Sequence, residues 1–553
     1  MPEFPSPITS ALMLIAPLPS LLAGLVVGIR ADRHPRRMRG WTMRAAGIAL
    51  VGAVLAAGTY FMGMTDSKTY LSVPLPAKLG LLGIRAEVNP LTVLMLLLVA
   101  LVGMIVARYA ATHLIGDPHE GRFHRWLSLT LGSFFMLISS GNLWEFLIFG
   151  VATSLFLHPL LAFYRERPVA VLAARKKYLL QRIADASLFA AFVLIARTLH
   201  TSQFAGIAPA LAGIHGSLPV SLQIASGLLV LSAVLKSAQF PFHGWLVQVM
   251  EAPTPVSALL HAGIIYTGAF LLLRVAPLMS RVVWTGDALV LMGLVSVATA
   301  ALMMMTATNI KGSLAYSTCA QMGFMLMECG LGLYSLVLLH IVSHSVYKAH
   351  AFLSSGSVVD HFRVPALPTL PRTATLWKTV GSLSIAAPLV IAIGVVFGVP
   401  LLQPPRWMVM EIILTVAVAH FLLQALNLGK RAGRGFLWTL IGLSALISTA
   451  YFGLNILFTT LWGTTLPATQ GSAGVVHDGL WGLISLVFVG FLLVQQMLPW
   501  ILRRPLGQAI YVHLYNDLYL DMIFTRLVRR FGPPNPAEAL PPAGEDQFGE
   551  MIS

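Results

Sequence analysis

Charge is scarce in this sequence. Only 10% of its 553 residues are Asp, Glu, Lys or Arg, while 57% are hydrophobic. With a mean hydropathy of +0.80, such a chain cannot cover itself with a soluble surface and reads as an integral membrane protein. Cysteine is nearly absent, Cys319 and Cys329 being the two. Ten positions apart on one predicted helix, they stand about 15 Å apart along its axis. That exceeds the roughly 7 Å Cα limit for a disulfide, and two thiols make no metal-ligand set. The glycine loops that bind nucleotides and the H-E-x-x-H pattern of zinc hydrolases are missing too, which removes the usual sequence basis for both chemistries.

What charge there is leans basic, with 36 Lys and Arg against 21 acids and a formal net charge of +15. A nucleic-acid partner would explain that balance, but the basic residues cluster in short loops between apolar runs of about 20 residues, the length that crosses a bilayer. The partner they indicate is the lipid bilayer, with no nucleic acid.

Hydropathy predicts an all-α polytopic membrane protein of about 15 spans: 8–29, 45–64, 91–112, 126–141, 144–163, 178–198, 219–250 (broken), 254–275, 284–306, 312–332, 333–356, 379–399, 407–428, 436–458 and 479–501. The N-terminal MPEFPSPITS has no basic region, so the first run reads as a retained helix. Lys and Arg in short loops stay cytoplasmic. Six arginines lie between Arg30 and Arg44 and five basic residues between Arg165 and Lys177, with further groups at Lys430, Arg431 and Arg434 and at Arg503 and Arg504. With the N-terminus periplasmic and an odd number of spans, every group falls inside, and the 199–218 and 462–478 loops, free of Lys and Arg, fall outside. Segment 65–90 reads as an external hairpin. The stretch after Arg504 interleaves aromatics with charge, as an interfacial or partner-docking helix would. The last residues, NPAEALPPAGEDQFGEMIS, have the composition of disorder.

Against this apolar background a few titratable groups stand out. Lys236 lies in an apolar run interrupted at Pro241 and again at Pro253 and Pro255, and His261 lies in the next run. A charge at bilayer depth costs about 2.5 kcal/mol or more and normally faces a polar interior path. A helix broken there needs neighbours or water for its freed backbone groups. His340, His344 and Lys348 recur at steps of four, within about 80° of arc and over about 12 Å, and so form one stripe. Lys311 adds another cation. Any one of these could be a polar residue satisfied between packed helices. Together they describe a path, because histidine exchanges protons near neutral pH and desolvation weakens the hold of lysine on its proton. Asp185, Glu145, Glu251, Glu328 and Glu411 are the acids that could face these bases. The i, i+4 histidines could bind a metal, but no acid or thiol stands suitably beside them in sequence. Haem ligation by His261 and His340, and a purely structural scaffold, remain open as other classes.

Three motifs carry a resemblance. KSAQFPFHGWLVQVMEAPTPVSALLHAGI, NIKGSLAYSTCAQMGFM (309–325) and LLHIVSHSVYKAHAFLSSGSVVDH (338–361) occur in the order found in the antiporter-like subunits of respiratory complex I and Mrp-type cation/proton antiporters. The resemblance covers about 85–360, and YVHLYNDLYLDMIFTRL (511–527) more loosely. It implies inverted five-helix repeats with broken helices and a buried lysine and histidine relay. The corresponding division is N-terminal helices 1–125, a first repeat 126–283, a degenerate second repeat 284–435, C-terminal helices 436–505 and a cytoplasmic segment 506–553. By motif, Lys236 would be the central lysine, His261 its neighbour, and Lys311, His340, His344 and Lys348 the link into the second half.

The departures select a branch. In complex I the acid that pairs with the central lysine would fall at Val151, and Glu145 is about 240° away around the helix, leaving Asp185 as the better partner for Lys236. The second broken helix is replaced by VPLLQPPRWMVME, where Glu411 could act, and a long C-terminal lateral helix does not follow span 15. FGVATSLFLHPLLAFYRERPVAVLAARKKYLLQRIADASL (149–188) is similar to the DabB subunits of the DAB inorganic carbon pump. That likeness implies a cation-conducting (H⁺ or Na⁺) subunit without catalysis or cofactor of its own, in a bacterial inner membrane. Its expected partner is a DabA-type peripheral subunit whose zinc site, similar to that of β-carbonic anhydrases, hydrates CO2 to bicarbonate. The alternative is a subunit of a complex I-like, hydrogenase-linked or Mrp-type assembly.

Overall fold

A computed structural model describes residues 7–76, 79–355, 376–399, 405–428, 434–462 and 475–531. Helices α1 (Ile8–Ile15), α2 (Leu18–Leu25) and α3 (Pro35–Phe61) precede an antiparallel hairpin of β1 (Thr69–Pro74) and β2 (Leu81–Arg85). Then come α4 (Pro90–His113), α5 (Glu120–Ser139), α6 (Leu143–Leu161), α7 (Pro168–Leu199) and the short α8 (Phe204–Ala212). The central part of the chain is α9 (Val220–Lys236), α10 (Gly244–Gln248), α11 (Thr254–Ala262) and α12 (Thr267–Arg274), followed by α13 (Ala276–Met279), α14 (Val283–Thr306), α15 (Ile310–Gly330) and α16 (Tyr334–Ser354). Helices Leu376–Val396, Pro405–Leu428, Arg434–Trp462, Val475–Ile501, Pro505–Tyr515 and Leu520–Phe531 complete the described chain.

Eleven helical stretches among the described residues are long and apolar enough to cross a membrane. With α5, α9, α15 and the Pro405–Leu428 helix they coincide with the fifteen apolar runs read from the sequence. Helix ends differ from the apolar runs for a local reason. The helix now labelled α7 starts at Pro168, where proline's missing N–H costs nothing, ten residues before the run at 178, so its first turns carry Arg175, Lys176 and Lys177. Asparagine sets other starts: Asn89 accepts the Thr92 amide at the head of α4, and Asn142 and Asn309 do the same for α6 and α15, satisfying amides that the first turn leaves unpaired.

Burial decides which span is central. The Thr254–Arg274 stretch has 94% of its apolar window buried inside the protein, against 17% for Gly479–Leu498. The surrounding helices therefore enclose α11 and α12, and the outer ones present apolar faces such as Ile148, Ile183 and Leu446, as lipid contact requires. Gly268 permits the tight packing at the centre: a Cβ there would stand 2.6 Å from the Ala233 carbonyl oxygen and collide with Ser237 Oγ. The hairpin expected within 65–90 forms. The tail beyond 531, Lys430 and Arg431, and the end of the third motif lie outside the described residues.

Candidate ion path

α9 ends at Lys236, and residues 237–243, with Pro241 among them, run without helix before α10 begins. The lysine thus sits at a helix C-terminus, where the backbone dipole favours a cation. Its Nζ lies 2.6 Å from Asp185 Oδ1 on α7, and both side chains are nearly sealed from solvent. Arg182, one turn earlier, brings Nη2 to 2.7 Å from Asp185 Oδ2. The expected pairing is in place, and α6 contributes no acid to it.

A second lysine joins this group. Lys177 Nζ donates to the Ser154 carbonyl at 3.1 Å and to Ser154 Oγ at 2.9 Å, and it stands within electrostatic reach of Lys236, Arg182 and Asp185. The sequence places Lys176 and Lys177 in a basic cluster between apolar runs. Both are buried in the structure, because α7 carries them two turns into the packed bundle. A cavity of about 20 Å³ is lined by Lys177, Lys236, Ser154, Gln181, Ile264 and Thr267. That is room for about one water, between the lysines and the backbone joining α11 to α12.

That junction is a second break. Helix stops at Ala262, Gly263 is non-helical, and α12 resumes at Thr267 after a single 3₁₀ turn. Side chains satisfy the carbonyls the break releases: Tyr266 Oη donates to the His261 carbonyl at 3.2 Å, and Ser345 Oγ to that of Ala262 at 2.5 Å. This is how a broken helix survives at membrane depth. The sequence reading places breaks at the prolines, yet Pro253 and Pro255 open α11, and the interruption inside the span comes at Gly263.

The histidine stripe converges on the break. His261 Nδ1 meets Thr318 Oγ1 at 2.9 Å, and its ring stacks on Phe352 at 4.4 Å. Tyr266 Oη also lies 2.8 Å from His344 Nδ1, whose ring is 6.2 Å from that of His340. His340 bridges Glu328 Oε2 at 3.1 Å and Gln321 Oε1 at 2.7 Å. Lys348, wholly buried, donates to the Leu314 carbonyl at 2.8 Å and is felt by His261 and His344. Glu411 is half-buried, and Tyr451 stands within electrostatic reach of it and of Glu328. The helix holding Glu411 runs unbroken from Pro405 to Leu428.

Two clusters result, Asp185–Lys236–Lys177 and His261–Tyr266–His344–His340–Glu328, with Lys348 against the second and the small cavity against the first. The uncharged links Tyr266, Thr318, Ser345, Gln321 and Ser154 have no sequence signal beyond their polarity. Lys311 joins neither cluster. It lies in the first turn of α15, half-buried, 3.3 Å from Thr254 Oγ1 and near the exposed Arg167–Glu251 pair. Glu251 is solvated there, whereas Glu145 is buried under the hairpin and accepts the Arg85 amide at 3.2 Å. Chemically, groups within hydrogen-bond reach that each hold or release a proton can pass one along.

A family model described as NADH:quinone oxidoreductase/Mrp antiporter, TM, matches residues 140–428. The chain is 39% identical over 540 residues to the "Probable inorganic carbon transporter subunit DabB2" of Halothiobacillus neapolitanus, with 95% of each covered. It is 34% identical over 538 residues to the "Probable inorganic carbon transporter subunit DabB" of Hydrogenovibrio crunogenus, again over 95% of each. Among solved structures it is similar to a chain of the Mrp complex from Dietzia sp. DQ12-45-1b, with TM-score 0.63 and 20% identity over 94% of this chain and 59% of that one, a likeness of fold. The chain belongs to the NADH:quinone oxidoreductase/Mrp antiporter family of transmembrane subunits, among the relatives named DabB.

Proposed function

We propose that this chain conducts a cation, namely the proton, down the membrane gradient along the two clusters, and that this flow drives inorganic carbon uptake by a peripheral partner. The observation that carries the reading is the Lys236–Asp185 pair, sealed between α7 and the end of a broken helix. Buried ionisable pairs at membrane depth are costly and are usually kept for transport. Asp185, Lys236, His261, His344, His340 and Glu411 serve as the path, with Lys348 setting the charge beside it and Pro241 in the break. Lys311 lies at its inner rim.

The link to carbon rests on the relatives named as inorganic carbon transporter subunits. The partner is a DabA-type subunit whose own zinc site hydrates CO2. One charge crossing 100 mV releases about 2.3 kcal/mol, enough to bias that reaction more than tenfold toward bicarbonate. The basic loops orient the chain in a bacterial inner membrane, N-terminus outside and C-terminus inside.

The test is genetic and biochemical together. In cells that need this pump to grow in air, Lys236→Ala abolishes growth while the complex still assembles, and a zinc-containing peripheral protein copurifies. Copurification with several small membrane subunits or iron–sulfur proteins instead would select the complex I-like or Mrp-type alternative.

A further inference from the structure

After Ile501 the described chain forms helix Pro505–Tyr515, a bend, and helix Leu520–Phe531. The bend is unusual: Asp517, Leu518 and Tyr519 take φ values of 58, 51 and 62°, a left-handed region that side-chain-bearing residues enter only when surrounding contacts hold them there. Those contacts are with the segment just past Lys236. Asp517 Oδ1 accepts from His243 Nε2 at 2.8 Å, with Tyr316 Oη 3.5 Å away. Asp521 Oδ1 accepts from Lys176 Nζ at 2.6 Å, and its other oxygen accepts from Gln248 Nε2. Lys176 also reaches Gln248 Oε1 at 3.0 Å. The carboxylate of Asp521 lies so close over Gly244 that a Cβ there would clash with it.

Burial separates the two sides of each contact. The Lys176 and His243 side chains are 0% and 2% exposed, whereas Asp521 and Asp517 keep 20% and 14%. His243 is therefore a ring between interior and rim. Nε2 faces the Asp517 carboxylate, and Nδ1 is buried with no protein hydrogen-bond partner, so it can accept a proton from the inner side of the ring.

We propose that Asp517 and His243 form the inner terminal of the path, a proton-binding site completed by the C-terminal segment, with Asp521 as a positioning residue clamped by Lys176 and Gln248. The site rests on the conduction reading above. A proton taken at His243 Nδ1 makes the ring cationic. Nε2 then passes its proton to Asp517 Oδ1, water at the exposed rim takes it from the carboxyl, and rotation of the ring turns the remaining N–H toward Asp517 and the bare nitrogen toward the interior.

The test uses the complete complex in liposomes, with current driven by an imposed potential rather than a pH difference. Asp517→Asn keeps the shape but loses the proton acceptor. Current should fall at least tenfold, recover in Asp517→Glu, and recover in part when formate is added to Asp517→Asn. Formate should rescue nothing in Lys236→Ala. Asp521→Asn leaves one acceptor oxygen where Lys176 and Gln248 each donate to one, so its current should fall without being restored by formate. Wild-type current in Asp517→Asn, or a loss that neither glutamate nor formate repairs, would overturn the terminal and leave the bend as a fastener. If Asp517→Asn and Asp517→Glu alike fail to assemble, the role is structural and the proposal falls. A wild-type complex that carries no current would overturn the conduction reading itself.

Discussion

Lys236 and Asp185, 51 residues apart in sequence, meet at 2.6 Å between the end of α9 and the middle of α7. Neither charge has bulk water to fall back on. Removing one partner of a buried pair leaves the other uncompensated, at a cost of about 3–5 kcal/mol. Asp185→Ala should therefore lower the unfolding temperature of the detergent-purified protein and stop ion flux. Combining Lys236→Met with Asp185→Leu should restore part of the thermal stability, Arg182 still lacking its partner, and none of the flux. Thermal unfolding and liposome flux, measured on the same preparations, separate the two effects.

Tyr266 should matter beyond packing. Its hydroxyl satisfies the His261 carbonyl and touches His344 Nδ1. In Tyr266→Phe both lose a partner, worth about 1–3 kcal/mol, and a barrier raised by that much slows passage about fivefold to a hundredfold. Assembly with the partner, read by size-exclusion chromatography, should survive.

Gly268 supplies a steric prediction. Gly268→Ala puts a Cβ against the Ala233 carbonyl and Ser237, so α12 must move away from the break beside Lys236, and yield and flux should both drop. Gly47→Ala on α3 meets nothing within 4 Å and should be neutral or stabilising by up to about 1 kcal/mol. Thermal unfolding of the two variants side by side tests the contrast.

Lys311 should prove the least sensitive of the cations named from sequence. It is half-buried and held by one hydrogen bond to Thr254. Such a bond is worth about 1 kcal/mol, so Lys311→Met should change flux less than about fivefold. Liposome flux of this variant beside that of Lys236→Ala checks the ranking.

The residues legible in the sequence were those whose charge contrasts with their neighbours. Lys236, His261 and the 340, 344 and 348 stripe stand out because titratable groups are rare in apolar runs, and Asp185 emerged by elimination. The burial of Lys176 and Lys177 is not legible because an apolar run marks the lipid-facing part of a helix, while α7 begins well before it. Tyr266, Thr318 and Ser345 were invisible, since a hydroxyl in a membrane helix has many bland uses. The break at Gly263 carries no proline, and proline is the only interruption that hydropathy flags. The contacts of Asp517 and Asp521 with His243 and Lys176 span 274 and 345 residues, a separation at which no local pattern survives. Glu145 is buried because the hairpin, whose fold no local pattern near Glu145 records, packs over it.

The most direct measurement is voltage-driven ion current through the purified complex in liposomes, comparing the wild type with Lys236→Ala. The buried-relay account predicts a current in the wild type that the variant loses almost entirely while its assembly and stability remain measurable. Equal currents in the two, with the variant intact, would contradict it.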